Sequence, residues 1–459
     1  VGIEPANNVP GGMGLKKSLT TAQMTMIALG GAIGTGLFMG SKLGILLAGP
    51  SVIISYIVGG IIALLVMGAL SEMTVHQPVA GSFGVYAEKY LGHFAGYLTK
   101  YLYWSALVFA VGTEVSVVGE YMQYWFPDIP GLFWVVVFSL ALLAVNMNSV
   151  KFFGTTEYWF SAIKVFAIVA FIIIAAWLVF HDPNDQFGIA NYSAESGFFA
   201  NGIWGTWNAV IVAIFSYMGI EAISIAAAES RNPQIAVRKA FKTTFLRLLL
   251  FYVFTMGLIL AIAPISELVN GGSPFVTVMS LMGVPFADSV LNFVLIVAAL
   301  SAMNAQLYAA TRMLNSLADS GHAPPLARKL NVKGSPIHAV WMSAGGIAVA
   351  ALVYGLVPDG GLGIMISLAT FGAIATWFMI LLTHLAFRRH IGKEQIRLDF
   401  RLPGYPTASL LGAILLAGLL ATSYFTEQFS YTLVFGIPFV VVMSLLYKLV
   451  FARRAKVRA

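Results

Sequence analysis

Apolar residues run through this chain in long, unbroken stretches joined by short polar connections. Twelve stretches stand out, at 22–47, 50–75, 97–124, 130–149, 156–180, 202–228, 239–264, 285–315, 336–356, 363–388, 407–427 and 431–451. Each reaches the ~20 mostly apolar residues that a helix needs to cross the hydrocarbon core of a bilayer. None has the period-two alternation of a membrane β-strand. The pattern predicts an all-α membrane protein with twelve transmembrane helices. Between the second and third stretches, residues 77–92 are only half apolar. They read either as an amphipathic segment along the inner membrane face or as a plain loop.

Composition agrees. The 459 residues are 59% hydrophobic and 10% charged, with a mean hydropathy of +0.85; a soluble domain carries about 25% charged residues. No cysteine is present, which excludes disulfide frameworks and thiolate metal sites. The net charge of +7 raises nucleic acid as a partner until the basic residues are placed. They cluster before the first stretch (Lys16, Lys17), in every second connection thereafter, and after the last stretch. Connections 3–4, 5–6, 7–8, 9–10 and 11–12 hold no Lys or Arg, and only Lys42 and Lys164 break the pattern. The positive-inside rule then puts both termini in the cytoplasm. Anionic lipid is the expected partner of this charge, and nucleic acid is excluded. The first fourteen residues are polar and rich in Gly and Pro, and no cleavable leader is expected.

Two stretches are interrupted by glycine. The first contains Gly30-Gly31-Ala32-Ile33-Gly34-Thr35-Gly36, and the sixth contains Phe215-Ser216-Tyr217-Met218-Gly219-Ile220-Glu221. Glycine disfavours a continuous helix. Unwound backbone at membrane depth survives only where protein buries it or where it lines a cavity. One such segment reads most simply as close helix packing. A matched pair, first and sixth, points to a binding site. With the N-terminus inside, the half-helix after Gly36 aims its N–H groups at the membrane centre and suits a carboxylate. The sixth stretch runs inward, and its first half ends in free carbonyls that suit an ammonium. A zwitterionic amino acid satisfies both.

GAIGTGLF in the first stretch, EYWFSAIKV in the fifth, FSYMGIEA with AAAESRNP at the sixth and TRMLNSLADSGHAP after the eighth resemble the amino acid permeases of the amino acid–polyamine–organocation superfamily. The branch is similar to the bacterial proton-coupled permeases for aromatic amino acids, proline and γ-aminobutyrate. The resemblance implies a LeuT-like five-plus-five inverted repeat with helices 1 and 6 broken. Its parts would be a cytoplasmic tail (1–20), a first repeat (21–181), a second repeat (202–390), two extra helices (405–451) and a basic tail (452–459). It implies import of a small, neutral amino acid by proton symport and alternating access, at the inner or plasma membrane. Exchange of amino acids without net proton movement, and an amino-acid-sensing transceptor, stay open beside it.

Carried over by motif, the amides of Thr35 and Gly36 would hold the substrate carboxylate. The carbonyls of Ala32, Phe215, Ser216 and Met218 would hold its amine, and the Phe215 ring would act as a thin gate. Lys164 lies mid-membrane, where a charge costs ~3 kcal/mol on insertion scales. A buried amine of this kind can exchange a proton at accessible pH. The resemblance puts Lys164 where sodium sits in sodium-coupled relatives, and so links it to proton coupling; a fixed tie between spans 5 and 1 is compatible with that. Glu221 and Glu114 are intramembrane acids: on the family pattern Glu221 is expected to face the site as a proton relay or gate, and Glu114 to pair with the coupling network or shape the side-chain pocket. Glu120 is expected to be solvated. Asn208 and Asn304 are expected to bond between helices, with Ser301 and Asn304 near Lys164. Glu229 is expected to pair at the inner surface, with Arg231 and Arg238 following it. No cofactor or metal is expected: the histidines lie at span ends and outside, and no HExxH motif exists. No Ser/His pair supports a hydrolase, and no phosphate-binding loop supports an ATP-driven pump.

Overall fold

The structure, a computed structural model, describes residues 19–451 apart from 31–32, 182–186, 194, 196, 271–272, 284, 357–360 and 395–396. Ala32, nearly all of the N-terminal tail and the 452–459 tail lie outside the described residues. Every named element is helical, and the one isolated β-type pairing among the described residues joins Leu19 to Ser230. The first half holds α1 (Thr21–Gly30), α2 (Thr35–Phe38), α3 (Gly40–Ala48), α4 (Val52–His76), α5 (Ser82–Leu91), α6 (His93–Gln123), α7 (Gly131–Asn146) and α8 (Val150–His181). Next come α9 (Gly202–Tyr217), α10 (Ala222–Ala226), α11 (Pro233–Arg247), α12 (Thr255–Ile262), α13 (Ile265–Asn270), α14 (Pro274–Leu281) and α15 (Ala287–Asp319). The chain ends with α16 (Ile337–Leu356), α17 (Gly361–Lys393), α18 (Thr407–Ser423) and α19 (Tyr431–Leu446).

Among the described residues, eight helical stretches are long and apolar enough to cross a membrane, and three shorter apolar helices cover 131–146, 337–349 and 407–423. α8 shows how the sequence selects its inner face. Its buried residues include Gly154, Glu157, Ser161, Lys164, Ile168, Phe171 and Ala175, spaced three or four apart along one stripe. Trp159, Phe166 and Ile173 point outward and are exposed, as lipid-facing residues are. The deepest packing lies elsewhere: α6 contacts α15 and α17, while α3 and α4 both pack on α9.

Three details refine or correct the sequence reading. The seventh stretch begins earlier, at Pro233, whose fixed φ and missing N–H suit the first turn of a helix. It passes through a π-helical segment, Leu248–Phe254, before α12. Within 77–92 the chain forms α5, which buries Phe83, Tyr86 and Ala87 and packs on α6 and α17. Lys100 is not in a connection: it is buried inside α6, with its ammonium 2.9 Å from Glu88 and 2.7 Å from Ser320.

Candidate functional site

Both glycine-bearing stretches are interrupted. α1 ends at Gly30, Gly34 is extended (φ −123°, ψ −160°), and α2 starts at Thr35 without a side-chain cap. α9 ends at Tyr217, Met218 leaves the helical region (ψ 139°), and Gly219 has φ 104°, a conformation that favours glycine. The two breaks touch. A Cβ on Gly36 would lie 2.8 Å from the Cα of Ser216, so only a glycine lets the backbones approach this closely. The Ser216 hydroxyl donates to the Gly36 carbonyl at 2.7 Å.

Gly36, Phe215, Ser216, Met218, Glu114 and Gln306 share a cavity of about 10 Å³ between the breaks. That volume holds about one water at most. Two buried oxygens of its lining residues, Oε2 of Glu114 and Oε1 of Gln306, have no hydrogen-bond partner among the described residues. A second cavity, of about 220 Å³, is lined by Thr35, Leu43, Val117, Val212, Ile366 and Phe429. Phe215 lines both cavities. The exposed Glu120 lines the larger one. The residues expected to bind substrate therefore line one or both of these cavities, as does Glu114, except Ala32, which lies outside the described residues. Two of the expected carbonyls already have donors in this conformation: Ser216 accepts the Tyr252 hydroxyl at 3.0 Å, and Phe215 accepts the Met218 amide at 3.2 Å.

Lys164 is fully buried, and its ammonium donates to the Ile33 carbonyl at 2.8 Å, at the break between α1 and α2. Its charge acts on both Glu157 and Glu114. Glu157 went unnoticed in the sequence. It is fully buried and receives hydrogen bonds from Ser301, from Ser161 at 3.2 Å and from Asn304 at 3.1 Å. Asn146 braces Asn304 at 3.0 Å. Ser301 and Asn304 thus hold the acid beside Lys164. The available signal was spacing: residues 157, 161 and 164 follow the i, i+4, i+7 rule of a single helix face. Gln306 was also missed.

Glu221 turns away from the cavity. Its carboxylate accepts the Gly219 amide at 3.1 and 3.2 Å and the Trp377 indole N–H at 3.3 Å. It lines neither cavity, so the expectation that it faces the substrate is corrected. The acid braces the second break because a buried Gly219 amide outside regular helix needs an acceptor. Asn208 also differs, since its buried Oδ1 has no partner among the described residues.

A second set of buried contacts joins Leu19, ahead of α1, to the end of the sixth stretch. The Leu19 amide donates to the Glu229 carbonyl at 3.1 Å, and the Arg231 amide to the Leu19 carbonyl at 3.2 Å. Glu229 pairs with neither Arg231 nor Arg238. Its buried carboxylate takes Arg312 at 2.9 Å and the Tyr308 hydroxyl at 2.8 Å. The Arg312 guanidinium lies 3.9 Å over the Tyr308 ring. Arg238 instead meets the exposed Asp399 at 3.6 Å. Sequence distance hid this pair: Arg312 is on α15, 83 positions from Glu229. His384, expected at a span end, is fully buried 3.3 Å from Glu72, which also forms an ion pair with Arg388 at 2.9 Å.

A bundle of apolar helices with a small polar cavity where two broken helices meet is the architecture of a membrane carrier. The chain belongs to the amino acid permease family, whose model matches residues 23–457. It is 36% identical to the uncharacterized amino acid permease YtnA of Bacillus subtilis (strain 168), over 94% of this chain and 95% of that protein. It is 37% identical to the aromatic amino acid transport protein AroP of Escherichia coli O6:H1, over 90% and 91% of the two chains. AroP of Salmonella typhimurium (strain SL1344) is also 37% identical, over 88% and 89%. The protein is a multi-pass membrane transporter for amino acids and not an enzyme.

Proposed function

We propose that this permease imports a neutral α-amino acid with a large apolar side chain, by proton symport and alternating access. The observation that carries this reading is the cavity between the two breaks, lined by Gly36 of α2 and Ser216 of α9 together with Glu114 and Gln306, each of which has a buried oxygen without a partner among the described residues. The Thr35 and Gly36 amides hold the carboxylate. The amine is held by Glu114 Oε2 and Gln306 Oε1 together with the carbonyls of Phe215, Ser216 and Met218; the proposed part of Ala32 rests on sequence alone. The substrate is larger than about 10 Å³, so the Phe215 ring moves aside and joins the two cavities. The walls of the larger one (Leu43, Val117, Val212, Ile366 and Phe429) are apolar and suit an aromatic or branched side chain, in keeping with the name of the AroP relatives.

In this reading the chain makes twelve crossings in a five-plus-five inverted repeat with two added helices, in the cell's inner or plasma membrane, with both termini cytoplasmic. Its larger cavity faces outward and the Glu229–Arg312 pair closes the inner side. Lys164, with Glu157 and Glu114 around it, takes the place of a coupling cation. When its ammonium loses a proton, the bond to Ile33 weakens and the first helix is free to move. Glu221 serves this cycle by holding the second break in shape.

The test is a thermal-shift screen over the common amino acids, then uptake of the hits into proteoliposomes at two pH values. The expected result is stabilisation by large neutral amino acids and accumulation driven by an inward proton gradient. Counterflow that ignores the gradient would leave exchange as the mechanism, and no stabilisation by any amino acid would end the reading.

A further inference from the structure

A groove of about 340 Å³ lies between α7 and α16, lined by residues outside the broken helices. Leu140, Leu143, Ala144 and Met147 form one apolar strip along the end of α7, and Trp341 of α16 faces it. The rim is polar and held in place. The Lys333 ammonium donates to Asn148 Oδ1 at 3.1 Å. The Ser335 hydroxyl bonds the carbonyls of Asn146 at 3.0 Å and Asn148 at 2.7 Å, and Asn331 bonds that of Met147 at 3.1 Å. A lysine ammonium has three N–H donors, so two more can point at an anion.

We propose that this groove binds an anionic glycerophospholipid, its phosphate on Lys333 and an acyl chain along the α7 strip. A small anion would use the ammonium and leave the strip bare, and a neutral apolar molecule would do the reverse. An anionic amphiphile uses both. The placement fits as well: Trp is the ring of the membrane interface, and basic pockets between helices at the cytoplasmic margin recognise anionic head groups. Lys151, in the first turn of α8, and Lys329, in the connection before α16, are both exposed. The orientation proposed above supplies only the name of the leaflet. Transport plays no part in the binding.

The experiment measures lipid binding to the purified full chain by native mass spectrometry and thermal shift. Phosphatidylglycerol and phosphatidylcholine with identical acyl chains are compared, with inorganic phosphate as a separate arm. Phosphatidylglycerol is expected to bind about fivefold more tightly than phosphatidylcholine, the weight of one surface cation against an anionic lipid. Lys333→Gln removes that preference and leaves general lipid binding. Ala144→Trp, at an exposed position, fills the groove and displaces the retained lipid. Lys393→Gln, in a different basic connection, changes neither. An undiminished phosphatidylglycerol preference in Lys333→Gln, lipid retained by Ala144→Trp, or an equal shift with inorganic phosphate alone would each overturn the proposal.

Discussion

The Lys164 ammonium donates to the Ile33 carbonyl at 2.8 Å, joining the middle of α8 to the break in the first helix. A carbonyl released from helical bonding at membrane depth needs a donor, and a charged donor contributes about 2 kcal/mol. Lys164→Met removes the donor while keeping much of the volume. Proton-driven accumulation in proteoliposomes is expected to be lost while the protein stays folded. Undiminished pH-driven uptake by this variant refutes the coupling role.

Glu157 gives a second, separable expectation. Its three side-chain donors and the nearby Lys164 charge hold it as a buried counter-ion. Glu157→Gln keeps the shape and removes the negative charge that acts on Lys164. The pH profile of uptake is then expected to differ from that of the wild type, with substrate affinity in the thermal-shift assay unchanged. A profile that overlays the wild type would make Glu157 a packing element only.

Much of this was legible in advance because lipid imposes a strong pattern. Length and apolarity located the helices, and glycines at 34, 36 and 219 marked both breaks. What stayed hidden was pairing across long sequence distances. Glu229 was read with its neighbours Arg231 and Arg238, but a helix end meets whatever packs on it, which here is Arg312 on α15. Glu221 was read as facing substrate because it follows a break, yet the Gly219 amide two residues away is the nearer partner. Glu157 and Gln306 were passed over since only packing reveals which polar residue of an apolar helix faces inward.

The contact at Gly36 is the most sterically constrained in the site. A Cβ there would lie 2.8 Å from the Ser216 Cα, which is backbone and has no rotamer to escape into. Gly36→Ala is expected to push the two broken helices apart and abolish substrate-induced thermal stabilisation, while expression persists. Wild-type stabilisation by the same amino acid would show that the helices tolerate the separation and that no tight cradle exists.

At the end proposed to face the cytoplasm, Glu229 and Arg312 form a pair in which the side chains are 0% and 3% exposed. Removing one partner of a buried pair leaves an uncompensated charge and costs about 3 kcal/mol. Glu229→Gln should lower the melting temperature and raise the reactivity of a cysteine placed at Leu19 toward a membrane-impermeant thiol reagent on the cytoplasmic side. The Glu229→Gln, Arg312→Met double variant should recover part of the melting temperature and keep the raised reactivity. If the single variant leaves reactivity unchanged, the pair does not close the inner side.

The last expectation concerns acid. Glu88 on α5 binds the Lys100 ammonium at 2.9 Å and His93 at 3.1 Å, and accepts the Ser320 hydroxyl at 3.0 Å. Burial raises its carboxyl pKa, but the Lys100 charge and the hydrogen bonds from Lys100, His93 and Ser320 outweigh burial and hold it below its ordinary value. A depressed carboxylate stabilises the fold above its unfolded pKa of about 4.3 and loses that contribution as pH falls through the lower folded value. Docking of α5 onto α6 should therefore be intact at neutral pH and loosen below about pH 4. Hydrogen exchange across residues 82–91 is the readout, rising with acid in the wild type. In Glu88→Gln it should already be raised at pH 7 and stay nearly flat down to pH 3. An acid response of the same size in both proteins would assign the loosening to some other carboxylate.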